Sequence, residues 1–365
     1  MTEFAVNRRQ LIKGTSAAAG ATLIGAAVAG GSGSAHAAPA GRYRIDLHAH
    51  FLPPEYRSAL LSHGHVTIGG YPTPEWSPEA AINFMDNWGI EAQALSISDP
   101  GVGFLQGKEA RDMARYCNDY AARLFKTHGR RFGAFAVLPM PDITASITEL
   151  THALDTLHLD GVVLLSAYNG VYLGDPRFEP LMAELNRRGT YVFVHPAAIP
   201  ANAKPGLPLP DFLYEFTFDT TRAATWMMTT GVMNRYPNVR FQLAHAGGTL
   251  PFLSHRIGVA SQTAPGQAWP KNAPRASLLD TKNLISKFYY DTALSGSKAA
   301  MSAVTAVTDR SHVVFGSDWP FSALTFSGSG DPAPGLSDYF TTAQRREVER
   351  LNPLKQLPRL AARVG

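Results

Sequence analysis

Short apolar runs recur along the chain, none longer than eight residues: "YRIDLH" (43–48), "EAQALSIS" (91–98), "FGAFAVLP" (132–139), "DGVVLLSA" (160–167), "TYVFVHP" (190–196), "VRFQLAH" (239–245), "KFYYDTA" (287–293) and "HVVFGSD" (312–318). Each is nearly continuous in hydrophobicity and rich in β-branched or aromatic residues, as strands buried on both faces are. Between them apolar residues return at helical spacing, as in "GKEARDMARYCNDYAARLFKTHG" and in "EPLMAELNRRG", which ends on a C-capping glycine, Gly189. This alternation predicts a (β/α)8 TIM barrel, with a doubly wound open sheet as the alternative. The polar residues decide. His48, His195, His245 and Asp318 stand at the C-terminal ends of their runs. A barrel brings those ends to one mouth, where barrel enzymes keep their chemistry, whereas an open sheet spreads them along an edge. The four-proline segment 197–217 predicts a long loop over that mouth, and "ISDPGVGFLQG" predicts a second one.

Residues two apart on a strand share a face, so Asp46, His48 and His50 project together. At the inward side of a barrel's first strand, that pair of imidazoles has a bite suited to a divalent ion. The spacing alone is weak evidence, because His63 and His65 repeat it in a glycine-rich loop and read as solvated residues there. The companions strengthen the first pair. Buried imidazoles and a carboxylate converging without a cation would carry a large desolvation cost.

Composition narrows the class. With 45% hydrophobic and 17% charged residues, the chain has a well-cored globular composition. Arg8 and Arg9, a short Ala/Gly-rich apolar segment and "AHAAP" predict a twin-arginine signal peptide over residues 1–37, ahead of a single domain over 38–365. The apolar segment is too short and too glycine-rich to span a membrane. Export to the periplasm or outside the cell is therefore expected, with no membrane partner. Removing Arg8, Arg9, Lys13 and Glu3 takes the formal charge from +4 to +2, and no basic run remains to suggest nucleic acid. Cys117, the single cysteine, excludes an intramolecular disulfide and falls inside a helical pattern as a small core residue.

"DLHAH", "VHP", "AHAGG" and "GSDWPF", in that order and spacing, resemble the metal-dependent amidohydrolase superfamily. Within it, the chain resembles the branch of 2-amino-3-carboxymuconate-6-semialdehyde decarboxylase and its relatives acting on aromatic acids, from Ile45 to "LNPLKQLPRL". The resemblance implies His48, His50, His195 and Asp318 as ligands of one divalent metal ion, zinc foremost and manganese as the alternative. It implies His245 as an acid/base beside the ion. It also implies a homodimer in which Arg256 reaches the neighbouring subunit's substrate, and an acidic residue near the site at Asp219.

Two chemistries fit these parts. In a decarboxylase, a small carboxylic acid would bind at the ion and a proton would be delivered to the carbon that loses CO₂. In a hydrolase of a lactone or related carbonyl compound, an activated water would attack and Asp318 would shuttle the proton. Arginine is the usual partner of a substrate carboxylate, which makes Arg256 and Arg222 candidates. This chain departs from the aminocarboxymuconate enzyme: it has no Arg or Lys between Arg57 and Lys108, and Ala197 replaces the tryptophan after the fifth-strand histidine. The stretch "GYPTPEWSPEAAINFMDNWGI" resembles the 6-methylsalicylate decarboxylase group instead. Phe51, Tyr71 and Trp76 are then candidates for aromatic substrate surface, and a hydroxybenzoate is the expected substrate of a metal-dependent carboxy-lyase.

Overall fold

A computed structural model describes residues 43–200, 203–263, 278–323 and 333–365, so the leader expected over residues 1–37 lies outside the described residues. Eight parallel strands follow one another in chain order: β1 (Arg44–His50), β2 (Ile90–Ser96), β3 (Phe132–Ala136), β4 (Gly161–Leu165), β5 (Tyr191–His195), β6 (Arg240–Leu243), β7 (Tyr289–Asp291) and β8 (Val313–Val314). Nearly every strand residue is buried, as their continuous hydrophobicity requires when helices cover the outer face and side chains fill the inner one. The seam between β8 and β1 closes through backbone hydrogen bonds: Leu47 N–H to Phe315 O (2.9 Å), Asp318 N–H to His48 O (2.7 Å) and His50 N–H to Trp319 O (2.7 Å). The sheet is a barrel.

The expected strands are all present, though several stop short of their polar ends. β6 ends at Leu243, two residues before His245, and β8 ends at Val314, four residues before Asp318. The backbone turns left-handed at both polar residues, with φ 54° at His245 and 60° at Asp318. The helix Glu179–Arg188 closes on Gly189 at φ 60°, the left-handed cap that the sequence pattern asks for.

Two covers rise over the C-terminal mouth. One is a hairpin pairing Thr67–Ile68 with Tyr71–Pro72, in a stretch the sequence presents as open loop. The other is the segment after β5, which turns through Asp211–Leu213 and enters a helix at Glu215, inside the span read as loop. Gly69 and Gly70 join them. A Cβ on Gly69 would meet the Phe216 ring at 2.6 Å, one on Gly70 would meet Pro210 at 2.6 Å, and Gly69 O accepts Phe212 N–H at 2.9 Å. His63 is exposed at the end of the helix Pro54–Ser62 and, like His65, packs on Phe104 and takes no part in the ligand cluster. Cys117 is fully buried in the core.

Candidate metal centre

β1 delivers His48 and His50 to the mouth on one face, and β5 delivers His195 from its last position. Asp318 comes from the left-handed bend after β8. Gly316 makes room for this, since a Cβ there would stand 2.7 Å from His48 Cβ. All four residues are buried, and one ligand atom from each lies within 4.8 Å of the others. His48 Nε2 and His50 Nε2 are 3.1 Å apart, and Asp318 Oδ1 stands 3.2 and 3.1 Å from them.

The opposite side of each ring explains which nitrogen faces inward. His48 Nδ1 lies 2.9 Å from Asp291 Oδ2 and donates its proton there. Ser96 gives its hydroxyl proton to Ala49 O (3.1 Å), so it accepts from His50 Nδ1 at 3.0 Å. His195 Nδ1 donates to Pro196 O at 2.8 Å. Every Nδ1 is committed to an acceptor, which leaves three Nε2 lone pairs and a carboxylate aimed at one buried point. Such a set is unstable without a cation or a proton, and three imidazoles with one carboxylate suit a divalent metal ion. The residues present fit the ion.

In the ion-free cluster a proton on His48 stands in for the cation. Burial opposes a charge on His48, yet Asp291 and then Asp318 outweigh it and raise the imidazole to about 10. Burial, followed by the repulsion of its neighbouring imidazoles, holds His195 well below the ordinary histidine value. Burial also lowers His50. Burial works against ionised Asp318, but His48 and hydrogen bonds from His245 and the other imidazoles hold it well below the usual carboxylate range.

His245 stands beside this set. Its Nε2 is 3.3 Å from Asp318 Oδ2, and its Nδ1 is buried with no hydrogen-bond partner among the described residues. Residues 245–248 all have positive φ, which costs about 1–2 kcal/mol for each non-glycine residue. The glycines of "AHAGG" answer a steric demand, since a Cβ on Gly248 would lie 2.0 Å from Thr217 O and one on Gly247 would lie 2.7 Å from Tyr290. Above the cluster opens a small cavity lined by Ile68, Tyr71, Ser98, His195, Phe212, Phe216, His245, Leu294, Asp318 and Phe321. Its wall is largely apolar and aromatic.

The other expected residues are placed elsewhere. Phe51 and Trp76 are buried against each other, with ring centroids 6.0 Å apart, and do not line the cavity. Arg222 and Arg256 are exposed on the helices Glu215–Thr229 and Leu250–Thr263, outside the lining. Asp219 accepts from Tyr172 Oη (2.6 Å), Ala197 N–H (2.9 Å) and Ser166 Oγ, and so braces the chain just past His195. Sequence reasoning missed Asp291, Ser96 and Ser98. Asp291 could have been suspected as the lone carboxylate in the "KFYYDTA" run; the serines carry no such signal.

The amidohydrolase family profile matches residues 45–359. The chain belongs to the amidohydrolase family. It is 36% identical over 298 residues to a decarboxylase of Aspergillus niger, covering 77% of this chain and 78% of the relative. It is 35% identical over 284 residues to the 6-methylsalicylic acid decarboxylase of Penicillium expansum, covering 76% of this chain and 85% of the relative. Among solved structures, the manganese-bound 5-carboxyvanillate decarboxylase of Novosphingobium aromaticivorans shares the fold, with a TM-score of 0.76 and 20% identity over 87% of this chain and 97% of that one. The expectation of an amidohydrolase-superfamily carboxy-lyase is borne out: this family member is an enzyme of the decarboxylase branch.

Proposed function

We propose that the protein decarboxylates a small aromatic hydroxy acid at the barrel mouth, with one divalent ion held by His48, His50, His195 and Asp318. The observation that carries this reading is the convergence of three Nε2 atoms and a carboxylate beneath an apolar cavity that His245 also lines. When bound, the ion supplies an anchor and an electron-withdrawing contact for a substrate oxygen. Zinc and manganese both suit the donor set.

The chain's own residues do the rest. Ile68, Phe212, Phe216, Leu294 and Phe321 offer an apolar surface for an aromatic ring. Among the described residues no Lys or Arg lines the cavity, so a carboxylate there is poorly solvated and its loss as neutral CO₂ relieves that cost. The electron pair of the broken carbon–carbon bond stays on the ring carbon. His245 gives that carbon the proton held at Nε2, which Asp318 Oδ2 orients at 3.3 Å, and solvent restores it.

A homodimer is part of the proposal. The helix Leu250–Thr263 carries Arg256 beside Phe252, which is 83% exposed, and Leu207, Leu209 and Leu213 are at least half exposed in the cover after β5. This exposed apolar surface, with the exposed Arg256 beside it, supports pairing of two copies. Export by the twin-arginine route, with cleavage after Ala37, belongs to the same reading. Sequencing the N-terminus of protein recovered outside the cytoplasm tests it.

The activity test is a panel of hydroxybenzoates and simple lactones, followed by CO₂ release and ring absorbance together. CO₂ from an aromatic acid, abolished by a chelator, supports the proposal. Lactone opening without CO₂ rejects it in favour of a hydrolase.

A further inference from the structure

β7 is short and contributes no group to the four-residue ligand set, yet it places one fully buried carboxylate behind two of the mouth's histidines. Asp291 Oδ2 lies 2.9 Å from His48 Nδ1 and accepts Gln242 Nε2 at 3.0 Å. Its other oxygen, Oδ1, accepts the backbone N–H of His245 at 2.9 Å and that of Ala293 at 3.1 Å. Asp291 itself touches neither the cavity nor the centre of the cluster.

From this geometry we propose that Asp291 is a positioning residue with two duties: it fixes the tautomer that turns His48 Nε2 toward the ion, and it pins the left-handed turn that presents His245. The first duty follows from proton accounting. A neutral imidazole that donates from Nδ1 to a carboxylate leaves Nε2 bare, and an acceptor behind a ligating histidine also raises its basicity. The second duty follows from strain. His245 and Ala246 have φ 54° and 56°, and such a turn persists only where its surroundings hold it. The carboxylate bonded to His245 N–H is one such hold. One side chain thus ties the metal clamp on β1 to the proton donor after β6.

The role rests on the metal reading above, so ion uptake by the wild-type chain is measured first. A wild-type chain that takes up no Zn²⁺ or Mn²⁺ overturns both. The decisive variant is Asp291→Asn. Backbone N–H groups cannot turn, so the new amide must keep its oxygen on His245 and Ala293 and point its NH₂ at His48 Nδ1. That forces the His48 proton onto Nε2, the metal-facing atom. The expected result is Zn²⁺ binding weakened about 10–100-fold in competition with a chromophoric chelator, with kcat at saturating ion close to wild type. Asp291→Ala releases both duties, so its kcat stays low even at saturating ion. Unchanged Zn²⁺ affinity in folded Asp291→Asn overturns the role. Should the variants fail to fold, ¹⁵N NMR of the zinc-loaded wild-type chain decides without them: a protonated Nδ1 on His48 supports the role, and an unprotonated or metal-bound Nδ1 overturns it.

Discussion

β1 carries buried charged or ionisable groups at both ends, and the two ends are finished differently. At its start, Arg44 is 1% exposed and is answered from several sides: Glu349 Oε1 at 3.3 Å, Trp88 O at 3.0 Å and the Phe315 ring at 5.6 Å. Glu349 in turn accepts from Arg345 at 2.7 Å and from the Tyr43 hydroxyl. At its other end, His48 and His50 are equally buried, but their Nε2 atoms face each other and Asp318 across an open centre. Burial alone does not separate structure from site. What separates them is whether the polar groups satisfy one another or point together at something else.

The comparison can be broken from either end. The largest effect is expected at the mouth: His50→Ala or Asp318→Ala leaves less than about a tenth of an ion per chain in elemental analysis, and CO₂ release falls to background. His245→Ala keeps the ion and lowers kcat by about 10²–10⁴-fold, so a variant that instead lost its ion would place His245 among the ligands. Arg44→Met does the reverse of a ligand change. It removes one partner of buried Glu349, which keeps Arg345 and Tyr43, and costs about 1–3 kcal/mol in denaturant unfolding, while the ion stoichiometry stays at the wild-type value.

Acidity should distinguish the two ends more gently. His48 in the ion-free cluster is raised to about 10, burial opposing the charge and Asp291 and Asp318 outweighing it. Its proton is therefore held at neutral pH, and an entering ion must displace it. Metal affinity should rise about tenfold per pH unit from about 7 toward 10, as a calorimetric titration at several pH values would show. For the ion-free fold the sign is opposite. A raised histidine contributes stability that is complete below the ordinary value of 6.5 and is lost as pH climbs through about 10. The smallest effect is expected at Trp76, whose Nε1 has no hydrogen-bond partner among the described residues. Trp76→Phe should cost about 1 kcal/mol of packing and leave kcat/KM unchanged. A fall in kcat/KM would instead return Trp76 to the substrate.

Much of this was legible in the chain. Strands buried on both faces announce themselves by continuous hydrophobicity, and a polar residue at the end of such a run is conspicuous, which is how His48, His195, His245 and Asp318 could be found. Other features depend on non-local geometry. The left-handed turns at His245 and Asp318 follow the ends of β6 and β8, yet no propensity marks them, because neither residue is glycine. Asp291 lies 243 residues from His48 in the chain and meets it only through barrel closure. Phe51 and Trp76 look like substrate surface from composition, but the structure packs them on each other and gives the cavity wall to Phe212, Phe216 and Phe321. Aromatic residues read the same in sequence whether they face a ligand or a helix.

The most direct test of the account titrates the ion-free chain with Zn²⁺ or Mn²⁺ while ¹³CO₂ is counted from a carboxyl-labelled hydroxybenzoate. Release that rises in proportion to added ion and levels off at one equivalent per chain, with His245→Ala filling to the same point and releasing almost none, is the result predicted here. Release that ignores the ion, or a chain that fills with ion and turns over only a lactone, would contradict it.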